Sequence, residues 1–419
     1  FGSRGATTCP SLAPRGLPQR CAAKARQRAQ PPGICAQPRC LPRSAMDYAA
    51  ASPQGLCGAI SEHISLLGAA VASAAASEEE LLRLYLRRAL VRLEAGVDDK
   101  AGAEMEVCSA EARELLAALL EADLPARLLA HLHALGFETR KDAMRLFDAV
   151  LRFGAQLGLE AEIVEYVRGQ PQISRHLLEG CSQPRLVLNC GQMLRGCARY
   201  PELVTFLLEE ARAAFALLDI CRHESFDVAC DAFASLRELL LAQPGAAARY
   251  MEAHAIEFFQ AFNSLLVPMA SSKGEGDMDS VDYVTQRQAL RLLGEVLLSR
   301  NFMGAMLLYI GSDDFLRIHM NLLRDSSKPI RVGAFHVFKI FVAAPNKAPR
   351  VQQILHRNRE RLIHVLEGFA TPKEGDQGFL ADLRAVEQIL RTLEPAAQPS
   401  EAAAVERAST LDDALAAVH

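Results

Sequence analysis

Apolar residues recur along most of this chain at three- and four-residue steps, the spacing of one face of a helix. Five stretches share a finer pattern. Each carries a small residue on the apolar face: Ala143, Cys190, Ala232, Ala289 and Ala334. Four residues on come Phe147, Leu194, Leu236, Leu293 and Phe338, and seven on come Val150, Cys197, Leu239, Val296 and Phe341. From 143 to 190, 232, 289 and 334 the anchors step by 47, 42, 57 and 45 residues. The longest step holds an insertion, 271–280, rich in Ser, Gly and acidic residues.

A period of about 40–47 residues built of paired helices is the mark of armadillo or HEAT stacking. The predicted fold is therefore all-α: an armadillo/HEAT-like helical-repeat solenoid, wound as a right-handed superhelix. Such stacks offer long surfaces for holding other proteins. The repeat domain is placed at residues 55–394. Ser77 to Glu80 ahead of Leu81 and Leu82 has the form of a capping box and predicts a helix start. Residues 96–102 break that helix, and helices are expected over 111–122, 125–135 and 140–154. Pro171, Pro184, Pro201, Pro244 and Pro268 fall between periodic runs, where helices start or break. No strand pattern is found.

Composition narrows the picture. Half of the 419 residues are hydrophobic, Trp is missing and aromatics are 6%. No run of 18 or more apolar residues predicts a membrane span. Residues 1–45 hold seven Arg, one Lys and no acid, so a net charge of −4 overall leaves −12 for the rest (−4 − 8). That balance argues against nucleic acid as a partner. The 1–45 segment is read as a disordered basic Pro/Arg-rich tail, either translated upstream sequence ahead of Met46 or an organelle transit peptide. Residues 395–419 are read as an Ala-rich flexible tail. The 11 cysteines are odd in number and irregularly spaced, which points to a reducing compartment and a cytoplasmic protein.

Little in the chain suggests chemistry. No phosphate loop occurs, and no nucleophile stands beside a matching base, so no enzyme and no cofactor are expected. Cys181, Cys190 and Cys197 are read as small core residues rather than zinc ligands. Asp277, Asp279 and Asp282 loosely suggest a cation loop, against the plainer reading of a solvated acidic loop. One constellation stands out. Arg287 and Arg291 share a helix face, as do Arg357 and Arg361, and Met320 lies between the pairs in sequence. Two basic pairs flanking an apolar floor suit a peptide with aromatic anchors and a carboxylate. The alternative is that these arginines solubilise the stack and pair with Glu.

The run from Tyr283 to Leu298 resembles the calcium-binding protein 39, or "Mo-twenty-five", family of kinase scaffolds. So do 320–325, 334–342, 188–195 and 226–235. The likeness covers roughly 80–395 and is tightest over 184–365. It implies a curved helical-repeat protein without enzymatic activity that docks on kinases or pseudokinases of the sterile-twenty class, with a further kinase in a ternary complex. It also implies a C-terminal groove for a Trp-Glu-Phe tail peptide and a concave face that favours the active-like kinase state. Carried over by position, the groove is Tyr283, Arg287, Arg291, Met320, Arg357 and Arg361. Arg291, Arg357 and Arg361 stand where the family usually has Lys. Such a protein is expected to be monomeric alone. A generic armadillo adaptor with no kinase specificity is the rival reading.

Overall fold

All five repeat anchors are buried, each at 1% exposure or less. The computed structural model describes residues 52–69, 72–97, 103–267, 280–369 and 377–395. These form eighteen α-helices, one short 3₁₀ turn and no strand. In chain order they are α1 Pro53–Ala69, α2 Ala72–Ala95, α3 Ala103–Glu121, α4 Leu124–His131, α5 Phe137–Gln156 and α6 Glu160–Arg168. Then come α7 Pro171–Cys181, α8 Val187–Cys197, α9 Pro201–Glu209, α10 Ala213–Ile220, α11 Phe226–Leu241 and α12 Pro244–Asn263. The last are α13 Ser280–Leu298, α14 Met303–Gly311, α15 Asp313–Leu322, α16 Lys328–Ala343, α17 Pro349–Glu367 and α18 Gln377–Thr392. The basic tail 1–45, the acidic insertion apart from Ser280, and the tail beyond Pro395 lie outside the described residues.

The five anchored stretches are α5, α8, α11, α13 and α16. With α2 and α18 they form a single row, each helix packed on the next: α2, α5, α8, α11, α13, α16, α18. Behind it runs a second row of α4, α7, α10, α12, α14, α15 and α17, again packed in order. The middle repeats have three helices: α6, α7 and α8, then α9, α10 and α11. In the next repeat the 20-residue α12 takes the place of the two short helices, and residues 268–279 follow it. That substitution, with the insertion, makes the 57-residue step.

The local signals worked unevenly. Pro171, Pro201 and Pro244 open α7, α9 and α12, as a ring with fixed φ and no N–H allows. The expected start at Ser77 is wrong: α2 begins at Ala72, because the Ala-rich run ahead of Ser77 has the strongest helix propensity and carries the helix through it. Helix α3 starts at Ala103 rather than 111, through Ala103, Glu104, Met105 and Glu106, all good helix formers. The helix expected over 125–135 runs instead from Leu124 to His131.

Each joint of the first row shares an apolar core around a small anchor. Apolar residues interdigitate, and the small anchor admits the neighbouring helix. Burying one Leu or Phe contributes about 1.5–3 kcal/mol. The core changes character along the chain. Leu, Ile and Ala fill the first half, while the largest fully buried aromatics are Phe258, Phe259, Phe262, Phe302, Tyr309, Phe335, Phe338 and Phe341.

Candidate functional site: an arginine-lined face on the first helical row

Tyr283, Arg287 and Arg291 lie one turn apart on α13. Its other face buries Ala289, Leu290, Leu293, Val296 and Leu297. Tyr283 is half-buried and both arginines are exposed. Arg287, Arg291, Arg237 and Glu295 line a cleft of about 590 Å³ between α11 and α13, over Phe233, Ala234, Val284 and Leu292. Glu295 accepts from Arg237 Nε at 2.6 Å and from Arg291 Nε at 3.2 Å. Arg291 therefore matches the plainer reading of a surface arginine paired with Glu. Arg287 has no partner among the described residues.

Met320 is half-buried on α15, packed against the core with Phe315 and Ile318. Ser312 caps this helix, its Oγ accepting from the Phe315 N–H at 3.3 Å. Arg357 and Arg361 are exposed on α17, which packs on α15. Neither has a partner among the described residues. The six predicted positions thus fall into two sets. Tyr283, Arg287 and Arg291 share α13, while Met320, Arg357 and Arg361 occupy the packed pair α15 and α17. Helix α16 packs on both α13 and α15.

The repeat register exposes features that motif reading missed. Five residues after each anchor stand Asp148, Arg195, Arg237, Gly294 and Lys339. The four charged ones each form an ion pair across a joint. Asp148 meets Arg199 at 3.2 Å, Arg195 meets Asp231 at 3.0 Å, Arg237 meets Glu295, and Lys339 meets Asp382 at 2.5 Å. One residue before the anchor, Asp142 is buried and faces Arg87 at 2.8 Å and Arg83 at 3.6 Å, both from α2. Arg195 also donates to Ser235 at 2.8 Å. Gly191 is required beside this pair, because a Cβ there would lie 1.7 Å from Asp231 Oδ2.

Six residues before the anchor, Tyr283 has two counterparts, Phe137 and Phe226. These are 70% and 55% exposed at the starts of α5 and α11, and Leu188 on α8 is 67% exposed. The signal was present in the sequence: an aromatic at one repeat position, off the core face. A second cleft, of about 580 Å³, lies among α2, α5 and α8 and is lined by Arg87, Arg145, Arg152, Glu94 and Val91. The first row is therefore a mixed surface of exposed aromatics, arginines and carboxylates.

Cys190 and Cys197 of this row lie on its core side. Burial pushes the Cys190 and Cys197 thiols up to about 12, so neither is a thiolate at neutral pH. Among the described residues no three His, Cys, Asp or Glu side chains converge as a metal site. Asp277 and Asp279 lie outside those residues. No single described helix is long and apolar enough to cross a membrane.

Comparison with known proteins settles the kinship. The Mo25-like family model matches residues 47–394. The chain belongs to the Mo25-like family. It is 35% identical over 286 residues to Calcium-binding protein 39-like of Mus musculus, covering 68% of this chain and 80% of the relative. It is 35% identical over 277 residues to the Mo25-like protein of Schizosaccharomyces pombe, covering 66% and 80%. To the Degreening-related gene dee76 protein of Auxenochlorella protothecoides it is 37% identical over 250 residues, covering 60% and 74%. A designed armadillo repeat protein superposes with a TM-score of 0.33 at 13% identity over 67% of this chain and 99% of the other, too loosely to support an argument. The Mo25-like match extends upstream of the stretch where the resemblance was tight, down to residue 47. The family is a scaffold family.

Proposed function

We propose that this Mo25-like chain is a non-catalytic cytoplasmic scaffold for a kinase or pseudokinase of the sterile-twenty class. It binds its partner twice. A Trp-Glu-Phe-like tail peptide enters the groove of Tyr283, Arg287, Arg291, Met320, Arg357 and Arg361. The kinase-like domain rests on the first helical row and is held in its active-like state. One observation carries the reading: Arg287, Arg357 and Arg361 are exposed cations without a partner among the described residues, the first on the helix of half-buried Tyr283 and the other two on the helix packed against that of half-buried Met320. A peptide carboxylate satisfies such arginines with two charge-assisted hydrogen bonds, and a thioether adapts to an indole or phenyl ring. Linking two modest sites raises avidity through effective concentration. Preference for the closed kinase shifts its population toward that state.

The test is fluorescence anisotropy of a labelled peptide ending in Trp-Glu-Phe. Wild type is expected to bind saturably. Met320→Ala and Arg287→Ala are each expected to weaken binding by about 10-fold or more, equivalent to about 1.4 kcal/mol. Equal binding by all three proteins, or none by wild type, sinks the groove and leaves the generic adaptor.

A further inference from the structure

Arg140 is a buried cation that no acid among the described residues neutralises. It stands three residues before the anchor of α5 and is only 7% exposed. Its Nη1 donates to the Arg185 carbonyl at 3.0 Å, while Nε is sealed off without a bond. That leaves Nη2 as the guanidinium nitrogen that reaches the surface. Glu79 of α2 comes to the start of α5, but it accepts from the Gly136 N–H at 2.6 Å. Enclosing a charge without a counter-charge is unfavourable, and a guanidinium cannot escape by losing its proton.

Packing does not require a cation at this position. Three residues before the later anchors stand Val187, Ala229, Gln286 and Arg331. Val187 and Ala229 are buried apolar residues at 1% and 4% exposure. Gln286 is neutral and donates to the Leu266 carbonyl at 3.2 Å. Arg331 is half-buried and lies over the Phe369 ring. Two repeats thus close with a hydrophobic side chain where the first encloses a bare charge. A residue that breaks the local rule without a gain inside the fold points to a role outside it.

The surroundings of Arg140 select the ligand. Phe137, one turn earlier on α5, is exposed, and so is Leu188, one turn after Arg185. The bond from Arg140 to Arg185 ties the start of α5 to the start of α8, and these helices pack on each other. Lys141 is half-buried and Arg185 exposed, both without an acidic partner among the described residues. Three cations between two apolar side chains fit a carboxylate carried next to an apolar residue.

We propose that the starts of α5 and α8 form an anchor site for the kinase-like domain, in which Arg140 receives a carboxylate and Phe137 and Leu188 cover the apolar side chain beside it. The ligand is an Asp or Glu flanked by an apolar residue on the partner's surface, and the site rests on the two-place reading given above. Three joints of the first row separate it from α13, so it is distinct from the tail-peptide groove. The partner supplies the counter-charge that the free chain lacks. Partners without an acid at this point leave Arg140 enclosed and unpaired, which makes the site a means of discrimination.

The test is surface plasmon resonance of the full chain over a sterile-twenty-class pseudokinase, intact and without its Trp-Glu-Phe tail, with thermal unfolding of each variant. Arg140→Met is expected to weaken binding of the tail-less partner by about 10-fold or more, mainly through faster dissociation. Its melting temperature is expected to be unchanged or raised, because methionine occupies similar space without an enclosed charge. Leu188→Asp, at an exposed position, offers Arg140 an internal carboxylate and is expected to weaken the same binding several-fold. Wild-type affinity in both variants overturns the site and leaves the tail groove standing. A lowered melting temperature in Arg140→Met makes Arg140 a structural residue and also overturns the site. Wild type that binds the intact partner but not the tail-less one overturns it too, since the groove then holds the partner alone. Wild type that binds neither overturns the two-place reading and this site with it.

Discussion

The joints α8–α11 and α13–α16 use the same anchor pattern but opposite means of closure. At α8–α11 a charge fastens the interface: Arg195 reaches across to Asp231 and Ser235, and Gly191 leaves room for the carboxylate. At α13–α16 the residue five after the anchor is Gly294, so that position sends no charge across. Instead Gly333 lets α16 approach α13 until a Cβ there would lie 3.2 Å from Leu290 Cβ and Cδ1. The first kind of joint gains specificity from a fixed pair of polar partners. The second gains from close fit, and it lies next to the aromatic core that holds Phe335, Phe338 and Phe341. Arg195, Arg237 and Arg291 are occupied, while Arg287, Arg357 and Arg361 have no partner among the described residues.

Breaking the charged joints should have the largest effect. Asp142→Ala removes the buried carboxylate that faces Arg87 and Arg83, and Asp231→Ala does the same to Arg195. Each is expected to destabilise the fold by about 1.5–3 kcal/mol in urea unfolding, the range for losing hydrogen bonds to a charged group, since the arginines left behind keep part of their exposure. A loss below about 1 kcal/mol would mean these pairs behave as surface charges.

The close-packed end carries a different sensitivity. His319 is wholly buried, and burial alone lowers its pKa from 6.5 to about 3. It lies 2.7 Å from the Tyr309 hydroxyl, which also bonds Asn263 Oδ1 at 2.8 Å. Folded His319 stays neutral where the unfolded chain would bind a proton. Stability is therefore complete above pH 6.5 and falls between 6.5 and about 3, by about 1.4 kcal/mol per pH unit. At pH 5 the loss is about 2 kcal/mol. His319→Met should flatten the pH dependence of the melting temperature over this window, and an unchanged slope would refute the assignment.

Overfilling the glycine joint comes next. Gly333→Leu must displace Leu290 or α16 and is expected to cost about 1–3 kcal/mol. The smallest effect belongs to the exposed end of the ladder. Asp382 is 42% exposed opposite Lys339, so Asp382→Ala should change stability by less than about 1 kcal/mol.

The fold was largely legible because it rests on period. The anchors Ala143, Cys190, Ala232, Ala289 and Ala334 are small for packing reasons, and packing repeats with the helices. Helix ends were less legible. At Ser77 a local capping signal competed with an alanine run, and propensity summed over several residues outweighed one cap. The site was legible only in part. Arg287 and Arg291 were found as a pair, but Arg291's bond to Glu295 depends on a neighbour that also serves Arg237 from another repeat. The exposed Phe137 and Phe226 were hidden because a single aromatic looks like core until it is placed in repeat register with Tyr283.

The central claim is that one partner is held at two places, and isothermal titration tests it most directly. The chain would be titrated with a sterile-twenty-class pseudokinase, intact and without its Trp-Glu-Phe tail. The account predicts that removing the tail weakens binding by about 100-fold without abolishing it, and that the double variant Phe137→Asp/Phe226→Asp weakens what remains. Binding unaffected by both changes, or no binding to the intact partner, would contradict it.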